Sequence, residues 1–239
     1  VGEAGSMLYV NMTCDTENED IKQAYLEFVE NVEPELAKMS DLLNRKLADS
    51  PYANDLDQDE YNVLLRDTRM DLSLFREENI PLGTELTKLG QRYNEICGSM
   101  MVEFDGEERT MQQMGKYLQV NNREVRENAY TTVGKRRFQD AEEIDELYDS
   151  MIALRHEIAQ NAGYSNYRDY VFDAKHRFDY TPADCEAFQD AVGSICVPLM
   201  RDVDEERCET LGLESLRMWD LGHDVQGREP LRPFTEVEE

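Results

Sequence analysis

Between Asp140 and Phe188 apolar residues return every three or four positions, and this rhythm constrains the chain more than any other feature. Ile144, Leu147, Met151, Leu154 and Ile158 fall on one stripe of an α-helix, with charge on the opposite face. Asp140 with Glu143 predicts a capping-box start, and Gly163 a left-handed stop about six turns later. Ser165 is expected to cap an aromatic-rich segment over residues 166–172. Thr181-Pro182-Ala183-Asp184 then predicts a third helix with proline at its first position. The layout is helix, corner, helix, corner, helix.

The same grammar runs through the rest and predicts an all-α fold, a multi-helix array with one short β-hairpin near 101–110. Ile21, Tyr25, Phe28, Val29 and Val32 form one stripe, and Leu36, Met39, Leu42, Leu43 and Leu47 resume it beyond Pro34, so a kinked pair of helices is expected to end near Ala48. Asp57 to Glu60 reads as a capping box opening a helix to Phe75, and a further helix is expected from Leu82 to about Met100. The Asp105-Gly106 dipeptide between short extended runs marks the hairpin. Thr110 is expected to cap a short helix through Leu118, and Asn121 or Asn122 one running to Phe138. The alternating charges of residues 123–127 read as a solvated, salt-bridged face. Beyond Pro182 one helix bent at Pro198 is expected, continuing towards Cys208.

Charge narrows the function classes. The 52 acidic residues outnumber the 25 basic ones and leave a net charge of −27, which argues against nucleic acid or an anionic membrane surface as partner and favours cationic peptides. Five cysteines, Cys14, Cys97, Cys185, Cys196 and Cys208, form neither a metal clip nor a disulfide framework, so reduced, buried thiols in a cytoplasmic protein are expected. Asp55, Asp57 and Asp59 begin like a calcium loop, but Glu60 occupies the turn position and Arg66 the bidentate position. No run approaches the ~20 apolar residues of a membrane span.

One segment carries a more specific signal. Residues 162–188, AGYSNYRDYVFDAKHRFDYTPADCEAF, resemble the oligoendopeptidase F family of thimet-oligopeptidase-like zinc metallopeptidases, with its G-Y-x-N-Y-R-D-Y and R-F-D-Y-T patterns. The likeness extends upstream through residues 121–127 and downstream through Val197-Pro198, residues 211–220 and residues 230–234. It implies an N-terminal helical domain over 1–135 and, over 136–239, the beginning of a helical catalytic domain truncated before its zinc-binding helix. Such enzymes hold zinc with H-E-x-x-H, where the glutamate activates water. Of the three histidines, His156, His176 and His223, only His156 begins such a motif, and Gln160 stands where the second histidine should be. The resemblance therefore implies zinc in the intact enzyme and none bound to this chain, with no catalytic or metal residue here and the missing C-terminal catalytic region as partner. The chain alone is expected to be inactive, and its helices to wall a channel for short peptides. The alternative is a non-catalytic acidic helical scaffold or interaction protein derived from the family.

Tyr164, Tyr167, Arg168, Tyr170, His176, Arg177 and Tyr180 are the candidate peptide-binding residues, since tyrosine and arginine beside a cavity bind peptide backbone well. The competing reading is an aromatic corner that locks two helices, with arginine paired to Asp169 or Asp179.

Overall fold

Polar side chains at helix starts and glycines past helix ends divide the chain, and the computed structural model describes residues 1–16 and 18–228. Helix α1 (Gly2–Cys14) buries Met12. Asn18 accepts the Ile21 N–H and opens α2 (Glu19–Asn31), which buries Tyr25 and Val29. After one residue α3 (Glu33–Ala48) begins, with Pro34 in the first turn, where its missing N–H has no helical partner to lose. Asp57 caps α4 (Gln58–Leu74) by accepting the Asp59 N–H, so the cap differs from the box expected with Glu60. Helix α5 (Asn79–Gly98) starts three residues before the expected Leu82. Pro81 belongs to its first turn, where proline is tolerated.

Strands β1 (Met101–Phe104) and β2 (Glu107–Thr110) pair antiparallel, Met101 opposite Thr110 and Phe104 opposite Glu107. Asp105 at φ 57 and Gly106 at φ 75 are both left-handed, as a two-residue type I′ hairpin requires. A reciprocal Thr110–Gln113 box starts α6 (Met111–Met114), and a 3₁₀ turn completes the short segment to Leu118. Asn122 caps α7 (Arg123–Gln139). Helix α8 (Ala141–Asn161) follows, but the Asp140 carboxylate pairs back to Arg136. Asn166, and not Ser165, caps α9 (Tyr167–Ala174) through the Asp169 N–H. Helix α10 (Pro182–Ala191) opens on reciprocal Thr181–Asp184 hydrogen bonds of 2.8 and 3.3 Å. A π-turn over Val192–Cys196 separates it from α11 (Val197–Thr210), so the single bent helix is two. Pro198 has no N–H to continue the ladder, and the Val197 N–H reaches back to the Val192 carbonyl.

These elements form two compact units. The first comprises residues 1–98 and 143–184. Met12, Tyr25 and Val29 form one cluster there, with Leu8 and Ile21 against it. Lys22–Glu95 at 2.8 Å and Lys88–Glu30 at 2.7 Å link α2 to α5, and Arg92–Glu143 at 2.6 Å links α5 to α8.

The second comprises residues 99–142 and 185–239, of which those to 228 are described. The hairpin and α7 close over Val102, Met114 and Ala129. Here the expected solvated face of α7 is overturned at Arg126. Arg126 is 2% exposed and Asp220 0%. Arg126 donates to the Trp219 carbonyl (2.9 Å), the Val120 carbonyl (2.9 Å) and Asp220 (3.2 Å), while Arg123 grips both Asp220 oxygens at 2.9 Å. Charges spaced like a solvated stripe were in fact placed to meet one buried carboxylate.

All five cysteines are free, but their burial departs from expectation: Cys14 and Cys196 are exposed, and the others are half-buried. The stripe of α10 and α11 that carries Cys185 and Cys196 has Phe188, Ile195 and Leu199 exposed, so it does not supply the buried setting that its periodicity suggested. Among the described residues no helix is long and apolar enough to cross a membrane. Residues 230–234, which carry the last part of the resemblance, lie outside the described residues.

Candidate functional site

The corner between α8 and α9 is built from the backbone outward. Gly163, at φ 89, donates to the Gln160 carbonyl at 2.9 Å, and Tyr164 N–H to the Ala159 carbonyl at 2.9 Å, the paired bonds of a Schellman stop. Arg76, just before α5, and Asn79, its first residue, reinforce it. Arg76 donates to the Asn161 and Ala162 carbonyls at 3.0 and 3.4 Å, and Asn79 to the Ile158 carbonyl at 3.0 Å. A cation at the end of α8 also complements the helix dipole. Sequence reasoning did not single out Arg76 or Asn79, because their partners are backbone carbonyls about 80 residues away and leave no spacing signal.

The chain's turn then places the aromatic side chains. Tyr164 and Tyr170 meet edge-on at 5.7 Å between ring centres, and Tyr167 lies 5.8 Å from Tyr170. The Tyr164 hydroxyl donates to Asp173. Burial, and then this bond to a carboxylate, push the Tyr164 phenol up to about 12. Burial also raises the Tyr170 phenol. Arg168 is exposed and pairs with Asp169 at 2.9 Å, the arginine–aspartate pair that the corner reading anticipated. Hydrogen bonding from Asn166, and then from Arg168, hold the Asp169 carboxyl below its ordinary value.

Helix α9 ends on an unusual residue. His176 sits at φ 52, and the His176 and Arg177 N–H groups close a second Schellman-type pair on the Asp173 and Phe172 carbonyls at 2.9 Å each. Histidine replaces the glycine this conformation favours. The His176 ring faces α4, with Nε2 2.8 Å from Asp71 and Nδ1 3.5 Å from Asp67, and stacks on Phe178 at 5.9 Å. Arg66 lies over Phe178 at 4.3 Å. Arg177 lies 5.3 Å over Phe172, whose other neighbour is the exposed Tyr180, 5.7 Å away.

Six of the seven sequence candidates thus form two groups, and the seventh, Arg168, is the one paired with Asp169. Tyr164, Tyr167 and Tyr170 pack in series, and Tyr170 reaches a groove of about 450 Å³ shared with Glu33, Asp71 and Arg76. His176, Arg177 and Tyr180 cluster around Phe172 and Phe178. Arg168 and Tyr180 are the exposed members.

Zinc finds no fitting ligands among the described residues. His156 and Gln160 are both exposed on α8, both His176 nitrogens face α4 carboxylates, and His223 is buried. No group of three His, Cys, Asp or Glu among the described residues could hold a metal ion.

The Peptidase family M3 model matches residues 116–239, and the Peptidase M3 N-terminal domain model matches residues 1–75. A crystal structure described as oligoendopeptidase F from Bacillus anthracis superposes with TM-score 0.91 at 22% identity over 99% of this chain and 43% of that one. PZ peptidase A with an inhibitor gives 0.84 at 26% identity over 90% of this chain and 38% of that one. Oligoendopeptidase-F from Enterococcus faecium gives 0.71 at 17% identity over 92% and 46%. The chain therefore spans less than half the length of these structures. No curated protein matches it.

Proposed function

Because the chain belongs to peptidase family M3, we propose that it is the front portion of a zinc-dependent oligoendopeptidase, a hydrolase of short peptides, and that its helices wall the channel by which peptides reach the catalytic centre. The observation that carries this is the pair of family matches in order along one chain, the N-terminal-domain model first and the peptidase model after it. On this reading residues 1–135 are the N-terminal helical domain and residues 136–239 begin the catalytic one. The zinc belongs to residues other than those described, which offer no fitting ligand set. The enzyme is placed in the cytoplasm, and the net charge of −27 favours cationic peptides over nucleic acid.

The tyrosine corner is assigned to peptide contact, with Arg168 and Tyr180 as the members whose exposure leaves a face for a ligand. A length series tests the channel. The complete gene product is expected to cleave short quenched peptides and to spare the same sequence displayed in a folded protein; equal cleavage of both contradicts the wall. In that enzyme Arg168→Ala is expected to lower kcat/KM with Tm unchanged, whereas a lower Tm with unchanged turnover assigns the residue to the corner alone.

A further inference from the structure

A second cavity, of about 550 Å³, opens in the first compact unit among α1, α2, α5 and α8. Its wall is aromatic: Tyr9, Tyr25, Tyr93 and Tyr148 line it, together with Gln91 and Arg155. Neither polar residue has found a full complement of partners. Gln91 is 4% exposed, its Oε1 meets no donor, and its amide nitrogen leans towards Glu95 without reaching a full hydrogen bond. A buried acceptor with no donor is costly, and such groups are normally satisfied.

Arg155 is the second signal. Its guanidinium lies 6.0 Å over each of the Tyr148 and Tyr167 rings, and among the described residues no carboxylate pairs with it. That is unexpected in a chain with 52 acidic and 25 basic residues. No Asp or Glu lines the cavity, so it is a locally cationic, aromatic site in an acidic protein. The requirements are complementary: an anion for Arg155, an N–H for Gln91 Oε1, and an apolar body for the tyrosines.

We infer that this cavity binds the C-terminal end of a peptide. The α-carboxylate pairs with Arg155, a peptide N–H is donated to Gln91, and the terminal side chain lies against the tyrosines. The volume falls within the range of small-ligand pockets. The choice of a peptide rests on the proposed peptidase function; the cationic aromatic site does not.

Calorimetric titration of the purified protein with N-acetyl-Ala-Phe, as the free acid and as the C-terminal amide, tests the assignment. The acid is expected to bind about tenfold more tightly, since a charge-assisted pair is lost in the amide. Arg155→Met should erase that preference, and Gln91→Leu should weaken both forms while the thermal transition shows the variant folded. Equal binding of acid and amide, no binding of either, or a preference that survives Arg155→Met overturns the inference. Peptide cleavage by the complete gene product is scored separately: acid binding without cleavage removes the peptidase reading and keeps the site, and cleavage without acid preference does the reverse.

Discussion

In the second compact unit residues 218–220 are held by ionic bonds: Arg123 and Arg126 converge on Asp220, which is wholly buried. In the first, residues 162–180 turn twice and are held by tyrosine rings, two Schellman stops and a histidine that bridges to α4. One carboxylate carries the first arrangement, so losing it leaves a guanidinium buried without an anion. Many half-buried contacts share the second, so no single one decides it. Concentrated charge makes one position critical, and distributed packing makes several positions tolerant.

The sharpest way to break this contrast is Asp220→Ala. We predict a loss of about 3–5 kcal/mol, read by urea denaturation with the single tryptophan, Trp219, as probe. A loss under about 1 kcal/mol, the level of a surface pair, would place the network with the ordinary salt bridges. Acid should act on the same group. Burial pushes the Asp220 carboxyl up, but hydrogen bonds from Arg123, the Arg217 N–H and Arg126 outweigh it and hold it below its ordinary value. A depressed folded value means the stabilisation is present above the unfolded pKa of about 4 and is lost as pH falls below it. Asp220→Asn should remove that part of the acid sensitivity.

On the aromatic side the effects should be smaller. Gly163→Ala forces a side chain into φ 89 and should cost roughly 1–2 kcal/mol, although space around it is open. Tyr164→Phe removes the bond to Asp173 and should cost about 1 kcal/mol at neutral pH. Because the folded Tyr164 phenol is raised to about 12, its stabilisation is intact below the unfolded pKa of about 10 and is lost as pH rises from there towards 12. The phenylalanine variant should flatten that alkaline limb in a pH series of thermal melts. Arg66→Gln, which removes the cation over Phe178, should cost only about 0.5–1 kcal/mol. A loss as large as that of Asp220→Ala in any of these would contradict distributed packing.

Local rules made most helices legible. The stop at Gly163, the Asp105-Gly106 turn and the proline start of α10 each need one residue type, and the sequence displays it. The end of α9 was hidden because His176 takes the left-handed position that glycine would have announced, held there by Asp71 and Asp67 from another helix. The Arg126–Asp220 pair was hidden for the same reason, since 94 residues separate the partners and the spacing around Arg126 suits a surface helix equally well. The tyrosine corner was visible as a cluster, but not its division into two groups, which depends on how α9 turns. The Gln91–Arg155 cavity left no mark, because its wall is assembled from four helices far apart in sequence, with α1 and α2 supplying a single tyrosine each.

The proposed peptidase function rests on whether the protein that contains these helices hydrolyses peptide bonds. The most direct measurement incubates the complete native gene product with an internally quenched short peptide, with and without a metal chelator. The account predicts cleavage that the chelator abolishes and added zinc restores. No cleavage, or cleavage indifferent to the chelator, would contradict it and turn attention to a helical scaffold that keeps the family's fold without its chemistry.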